Sequence, residues 1–205
     1  MRNPIMVGKR VYLRPFETAD AETLAQITAT ETDTFMYRGR APFSPLAYER
    51  DIGEAYKSDY PPWIAFVVAL RADDRCIGLV GVESIEYLHR TAWTFSELGP
   101  AAFRNQGYGT EAKHLLLEYC FDHLHLHVLR SSVFEANTRS AAALLKQGYR
   151  EAGRLQWADV KGGRYRDALL FDLLRDEWLA ARDAWREKRA ADSRQPMKPI
   201  DNHQP

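Results

Sequence analysis

The chain has 205 residues, 45% of them hydrophobic and 27% charged, and its 28 basic and 28 acidic side chains cancel to a formal net charge of zero. These figures fit one globular domain with a sizeable core, and they exclude a chain built around a broad basic field for nucleic acid. No apolar run approaches the ~20 residues that span a bilayer, the first ten residues lack the apolar stretch of a secretion signal, and the two cysteines, Cys76 and Cys120, fit buried thiols in a reducing cytoplasm better than a disulfide framework.

In chain order, Val11-Tyr12-Leu13-Arg14 reads as a short strand ended by Pro15. Thr18 and Asp20 then supply helix-start chemistry ahead of Ala21, Leu24, Ala25 and Thr28, one helix-spaced face. Leu46 to Tyr56 reads as a second helix begun at Ser44, with Pro45 at its first position. Trp63 to Leu70 and Cys76 to Ile85 are strand-like and are joined by the turn residues Ala72 to Arg75, so they read as an antiparallel hairpin. Trp93 to Leu98 is a further strand, followed by Gly99-Pro100. Pro100 has no amide hydrogen for a ladder, so this strand must end or splay there.

The next stretch, Arg104-Asn105-Gln106-Gly107-Tyr108-Gly109-Thr110, is a glycine turn that leads into a helix whose apolar stripe is Ala112, Leu115, Leu116, Tyr119 and Cys120. The first N–H groups of a helix lack intrahelical acceptors and carry the positive end of the peptide dipoles. Glycines let a ligand approach that end closely, so the turn suits a phosphate or diphosphate. The alternating His123, His125 and His127 have no matching carboxylate or cysteine, and they read as a connector rather than a metal site. Val128 to Phe134 is the next strand. Asn137 or Thr138 then starts a short helix closed by Gly148, and two strands, Leu155 to Val160 and Tyr165 to Leu174, meet at a Gly162-Gly163 hairpin. A last helix presents Trp178, Arg182 and Trp185 on one face. Residues 1–189 read as a single domain and 190–205 as a polar, disordered tail, with no internal repeat.

The glycine turn is neither a P-loop, since no Lys-Ser or Lys-Thr follows, nor the three-glycine dinucleotide fingerprint. Arg104, Gly107 and Gly109 instead occupy the fixed positions of the Arg/Gln-x-x-Gly-x-Gly/Ala signature, and the chain here resembles the GNAT superfamily of acyl-CoA-dependent N-acyltransferases. The continuation through Thr110, Glu111 and Ala112 is similar to the branch of RimJ/RimL-like ribosomal-protein N-terminal acetyltransferases. A second signature, from Asn137 and Ser140 to Lys146-Gln147-Gly148-Tyr149, follows in the right order, and the resemblance covers residues 8–178. It implies an α/β (α+β) fold with a mixed, mostly antiparallel, splayed sheet of six or seven strands and helices on both faces. It also implies acetyl transfer from acetyl-CoA to a primary amine by direct attack in a ternary complex.

Under that resemblance the cofactor is held by Leu98, Gly99, Arg104, Asn105, Gln106, Gly107, Tyr108, Gly109 and Thr110, with Asn137 and Ser140 near the sulfur. Ser140 can donate a hydrogen bond to the departing thiolate. The tyrosine that many such enzymes use there is replaced by Ala141-Ala142-Ala143-Leu144. Glu97 is the base candidate, with Ser96 and Glu83 as rivals. Phe35, Tyr37, Arg38 and Phe43 are candidates for the acceptor wall. The implied partners are acyl-CoA and an amine acceptor, with no nucleic acid or membrane required, in a monomer or homodimer. The acceptor stays open among a protein N-terminus, which the branch favours, a lysine, an aminoglycoside and a polyamine. A succinyl donor, for which Arg38 and Arg40 would matter, and a non-catalytic acyl-CoA-binding module are the alternatives.

Overall fold

Val11 to Leu13, Ile64 to Leu70 and Cys76 to Val82 are apolar on consecutive residues rather than on alternate ones, which is the mark of strands covered on both faces. The structure, a computed structural model, describes residues 1–30, 44–99, 101–161 and 163–192. Its strands are β1 (Met6–Val7), β2 (Val11–Pro15), β3 (Ile64–Leu70), β4 (Cys76–Glu86), β5 (Thr91–Leu98), β6 (Val128–Phe134), β7 (Arg150–Lys161) and β8 (Arg164–Leu174). They form one sheet in the order β1-β2-β3-β4-β5-β6-β8-β7. All neighbours are antiparallel except β5 and β6. The sheet is therefore the expected splayed, mostly antiparallel one, with eight strands where six or seven were expected. The short β1 escaped sequence reading because two residues carry no periodicity.

The two-sided cover is visible residue by residue. On β2 and β3, Val11, Leu13, Phe66, Val68 and Leu70 enter one core with Ala112, Leu116, Leu144 and Trp178. The alternate residues Tyr12, Ala65, Val67 and Ala69 enter a second core with Leu24, Ala25, Tyr48 and Ile52. Helices α1 (Ala21–Thr30) and α2 (Pro45–Ala55) cover the second face; α3 (Tyr108–Glu118), α4 (Thr138–Lys146) and α5 (Arg175–Asp192) cover the first. Ala21, Leu24, Ala25 and Thr28, the face expected of α1, are all buried. The start of α1 is fixed by a buried ion pair in which Arg14 donates to both carboxylate oxygens of Asp20 at 2.7 and 2.6 Å, while Asp20 also accepts from the Glu17 amide at 2.9 Å. On α5, Trp178 stacks on Phe121 at 5.0 Å and Trp185 on His114 at 4.2 Å. Helix α5 runs through Asp192, past the expected domain end at 189, and the expected tail beyond it lies outside the described residues.

A parallel pair needs a long crossover, and α3 is the crossover between β5 and β6. The two strands pair only at Thr91–Val128, Ala92–Leu129 and Trp93–Arg130. Beyond that point β5 stays with β4 as far as Leu98 and β6 stays with β8 as far as Phe134, so a V opens between them. Side chains replace the lost ladder at its apex. Thr94 Oγ1 donates to the Arg130 carbonyl at 3.1 Å, and Ser131 Oγ donates to the Thr94 carbonyl at 3.2 Å. Buried Tyr149 holds Thr94 through a hydroxyl contact of 2.8 Å. The opening thus begins after Trp93, upstream of the proline expected to cause it, because Thr94 and Ser131 satisfy the backbone groups that the strands leave behind.

Candidate active site

Helix α3 begins where Asn105 and Gly107 take left-handed backbone angles, φ 59° and 81°. Gly107 is its N-cap and supplies no side chain, and the first helical bond runs from the Glu111 amide to the Gly107 carbonyl at 3.1 Å. The amides of Tyr108, Gly109 and Thr110 therefore have no acceptor within the helix. Gly109 also lets Leu98 pack close, since a Cβ there would meet Leu98 Cδ1 at 2.5 Å and push that side chain aside. The turn is braced from behind by Arg10. Its Nη1 donates to the Gln106 carbonyl at 2.9 Å and its guanidinium lies 4.4 Å from the Tyr108 ring centre. Its amide and Nε bind the fully buried Glu111 carboxylate at 2.8 and 3.3 Å.

In front of that turn lies a cleft of about 250 Å³. Leu98, Ser96 and Glu97 line its β5 side, Gly107, Gly109, Thr110 and Lys113 its α3 side, and Asn137, Arg139, Ser140 and Gln147 its α4 side. Arg104 and Asn105 stand at the mouth. The cleft is thus the open part of the V, with the helix terminus at one end. Ladder alternation sets what β5 offers it. The Gly99 amide donates to the Ile77 carbonyl at 2.8 Å, on the β4 side. The N–H groups of Leu98 and Ser96 alternate with it and so face the opening.

Asn137 caps α4 by accepting from the Ser140 amide at 3.2 Å. That cap holds half-buried Ser140 on the first turn of α4, against the cleft. Glu97 is held from the opposite side of β5. Thr28 Oγ1 donates to its carboxylate at 3.2 Å and shares a 2.6 Å contact with the Tyr48 hydroxyl. Since Thr28 has one proton to give, Tyr48 donates to Thr28. Burial, opposed by the Thr28 contact and reinforced by the Glu97 and Asp51 charges, raises the Tyr48 pKa and keeps that proton in place.

Tyr48 also lines a second cavity of about 430 Å³ on the α1–α2 face. Its walls are the aromatic rings of Phe16, Trp63 and Phe95, and its rim carries the carboxylates of Asp51, Glu54 and Glu83. Phe95 and Glu97 are two apart on β5 and share a face. Glu97 therefore reaches both spaces: its residue lines the first, and its hydrogen-bond chain ends in the wall of the second.

The cleft gathers Glu97, Leu98, Arg104, Asn105, Gly107, Gly109, Thr110, Asn137 and Ser140. Gly99 and the side chains of Gln106 and Tyr108 face away from it, although the Tyr108 amide stays at the open helix end. Gly99 packs on Ile27, which a Cβ there would meet at 2.8 Å. Gln106 bonds the Ala102 carbonyl, and Tyr108 faces Arg10 and Phe103. Arg104 gives its Nε to the Gly99 carbonyl at 3.2 Å, so it ties the turn to the end of β5 as well as charging the mouth. Of the rival bases, Ser96 lines the cleft and Glu83 the second cavity. Phe35, Tyr37, Arg38, Arg40 and Phe43 lie outside the described residues. Sequence reading missed Lys113, Arg139 and Gln147. Lys113 was legible in principle, being one helical turn from Thr110 on the same face.

Neither cysteine lines the cleft. Burial pushes Cys120 up to about 12 and Cys76 up to about 11, so both stay thiols. His123, His125 and His127 are exposed, and no metal-binding group of three His, Cys, Asp or Glu occurs among the described residues. No helix among those residues is long and apolar enough to cross a membrane.

Comparison with known proteins gives one answer at three levels. Residues 10–150 match the family model of the acetyltransferase (GNAT) domain. Among curated proteins, the uncharacterized N-acetyltransferase YnaD of Bacillus subtilis is 26% identical over 172 residues, covering 83% of this chain and 96% of that protein. The spermidine N(1)-acetyltransferase of Escherichia coli is 26% identical over 170 residues, covering 83% and 89%. Among solved structures, Mycobacterium smegmatis RimJ in complex with CoA-disulfide superposes with a TM-score of 0.79 at 23% identity over 91% of this chain and 96% of that one. The spermidine N-acetyltransferase of Vibrio cholerae, in complex with CoA and spermine, superposes with a TM-score of 0.76 at 22% identity, over 84% and 98%.

Proposed function

The chain belongs to the acetyltransferase (GNAT) domain family, and from that premise we propose that it acylates a primary amine carried on a small polycation, using the V-shaped cleft for acyl-CoA and the carboxylate-rimmed cavity for the acceptor. Membership makes the protein an N-acetyltransferase that uses an acyl-CoA donor and an amine acceptor. The polycation and the roles of individual residues are our reading. The observation that carries it is Glu97, set between the two spaces.

The residues present fit the donor. The uncommitted amides of Tyr108, Gly109 and Thr110 suit a diphosphate, with Arg104 and Arg139 supplying positive charge beside them. A side chain at Gly109 would push Leu98 aside. The bound donor brings a thioester, an acyl carbon already activated toward amines. The Leu98 amide faces the opening and polarises the thioester carbonyl. Ser140, held by the Asn137 cap, donates a proton to the leaving sulfur. Glu97 takes the proton of the incoming amine, directly or through one water, while the Tyr48–Thr28 chain holds its carboxylate in place.

The acceptor assignment rests on complementarity. Aromatic walls with three carboxylates suit an alkyl chain bearing ammonium groups. Asp51 and Glu54 already pair with Arg50 and Lys57 at the surface, but exposed pairs of that kind are weak and exchange readily. Similarity to spermidine acetyltransferases supports the same reading, whereas the resemblance of the Gly107–Ala112 stretch to ribosomal-protein N-terminal acetyltransferases supports a peptide N-terminus as the alternative. A panel of acceptors, with thiol release as the readout, tests it. We expect turnover with spermidine and spermine above that with an N-terminal peptide, a blocked lysine or an aminoglycoside, and a loss of that preference in Glu83→Gln. Tight CoA binding without turnover on any amine would make the protein a binding module instead. The two unpaired thiols, Cys76 and Cys120, support a cytoplasmic home.

A further inference from the structure

The deep end of the cleft holds a charged group that the mechanism above does not use. Lys113 is 3% exposed, yet it lines the cleft. Among the described residues no carboxylate pairs with it. Its Nζ lies 5.9 Å from the centre of the Tyr149 ring, whose hydroxyl meets Thr94 at the apex of the V. Gln147 lines the same cleft, is 3% exposed, and its Oε1 has no hydrogen-bond partner. A buried ammonium needs acceptors for its three protons and a counter-charge. The described residues supply a ring face and, in the same cleft, an uncommitted amide oxygen, but no anion.

A ligand that carries an anion can supply that charge, and depth decides which part of the ligand brings it. Asn105 and Gly107, at the mouth, are exposed, while Lys113 and Gln147 are buried. A diphosphate on the α3 terminus stays at the wet end. From the Leu98 amide inward, the V narrows toward Thr94 and Tyr149, so a thioester held at that amide could extend its acyl chain toward Lys113 and Gln147. We propose that Lys113 selects donors whose acyl chain ends in a carboxylate, so that the enzyme uses a dicarboxylic acyl-CoA of the succinyl type in preference to acetyl-CoA. The proposal rests on the assignment of this cleft to acyl-CoA and names the acyl group within it. The ligand carboxylate supplies the counter-charge and accepts from the ammonium.

The test is calorimetric binding of CoA, acetyl-CoA and succinyl-CoA to the full chain and to Lys113→Met and Lys113→Gln, with thermal melts to verify folding. We expect the wild type to bind succinyl-CoA on the order of 10- to 100-fold more tightly than acetyl-CoA, the range of a charge-assisted hydrogen bond. We expect both variants to lose that preference while binding CoA itself as before. Equal wild-type affinities for the two thioesters would overturn the proposal. So would an equal loss for all three ligands in both variants, which would assign Lys113 to the diphosphate or the pantetheine arm. Failure of all three to bind the wild type would overturn the reading of the cleft itself.

Discussion

Replacing Lys113 with methionine should stabilise the fold below neutral pH and remove a rise in stability above it. Burial, opposed only by the nearby Cys120, pushes the Lys113 ammonium down to about 7 from its ordinary 10.5. Below about pH 7 both the folded and the unfolded chain hold the proton, and the folded state carries the full cost of a buried charge. That cost is on the order of 5 kcal/mol for such a gap. Between about pH 7 and 10.5 the unfolded chain holds a proton that the folded chain has lost, so stability rises with pH by up to about 1.4 kcal/mol per unit. Cys120, pushed up to about 12, stays neutral in this window, and Tyr149, pushed higher still by burial, does too. Methionine has a similar stem and no proton to exchange. Urea unfolding followed by tryptophan fluorescence reads the difference directly, since Trp178 is fully buried. Between about pH 7.5 and 9.5 the wild type should gain on the order of 2–3 kcal/mol relative to Lys113→Met. A difference that stays flat with pH would show that Lys113 is solvated or paired, and the argument from an unmatched buried cation would be refuted.

Three other outcomes follow from single contacts. Asp20→Asn leaves Arg14 buried beside a neutral amide; burial alone would raise the Asp20 pKa, yet the Arg14 and Glu17 hydrogen bonds hold it below the usual carboxylate range. Denaturant unfolding should show a loss of about 3–5 kcal/mol, and a loss under about 1 kcal/mol would mean that the pair contributes little. Gly107→Glu puts a like charge and a strained φ of 81° at the proposed diphosphate site, so CoA affinity by calorimetry should drop by at least about 100-fold; unchanged affinity would remove the turn from the binding site. In Ser140→Ala, kcat should fall on the order of 100-fold with CoA affinity nearly unchanged, and an unaltered rate would remove Ser140 from the proton path.

Much of this architecture was legible because local and tertiary demands coincide. Ala21, Leu24, Ala25 and Thr28 were readable as one face of α1 because that face is the one buried. Pro45 marked the start of α2 because its ring suits the first helical position, and Asn137 and Gly148 marked the ends of α4 through a side-chain cap and a left-handed backbone. What stayed hidden depends on groups far apart in the chain. The V opens at Thr94 because Ser131, Arg130 and Tyr149 meet it there, and nothing next to Thr94 in sequence announces them. Lys113 lies off the apolar stripe in sequence, but α3 is buried on nearly every face, so a lysine between apolar positions becomes a cleft residue. The second cavity joins side chains from β2–β5, α2 and their flanks, a meeting that only the assembled sheet produces.

The claim on which the account turns is that the free amides opening α3 bind the diphosphate of an acyl-CoA. A crystal of the protein soaked with CoA tests it most directly. The account predicts diphosphate oxygens within hydrogen-bond distance of the Tyr108, Gly109 and Thr110 amides, with the pantetheine arm entering between β5 and β6. Density for CoA elsewhere on the protein, with those amides facing solvent or the protein's own side chains, would contradict it.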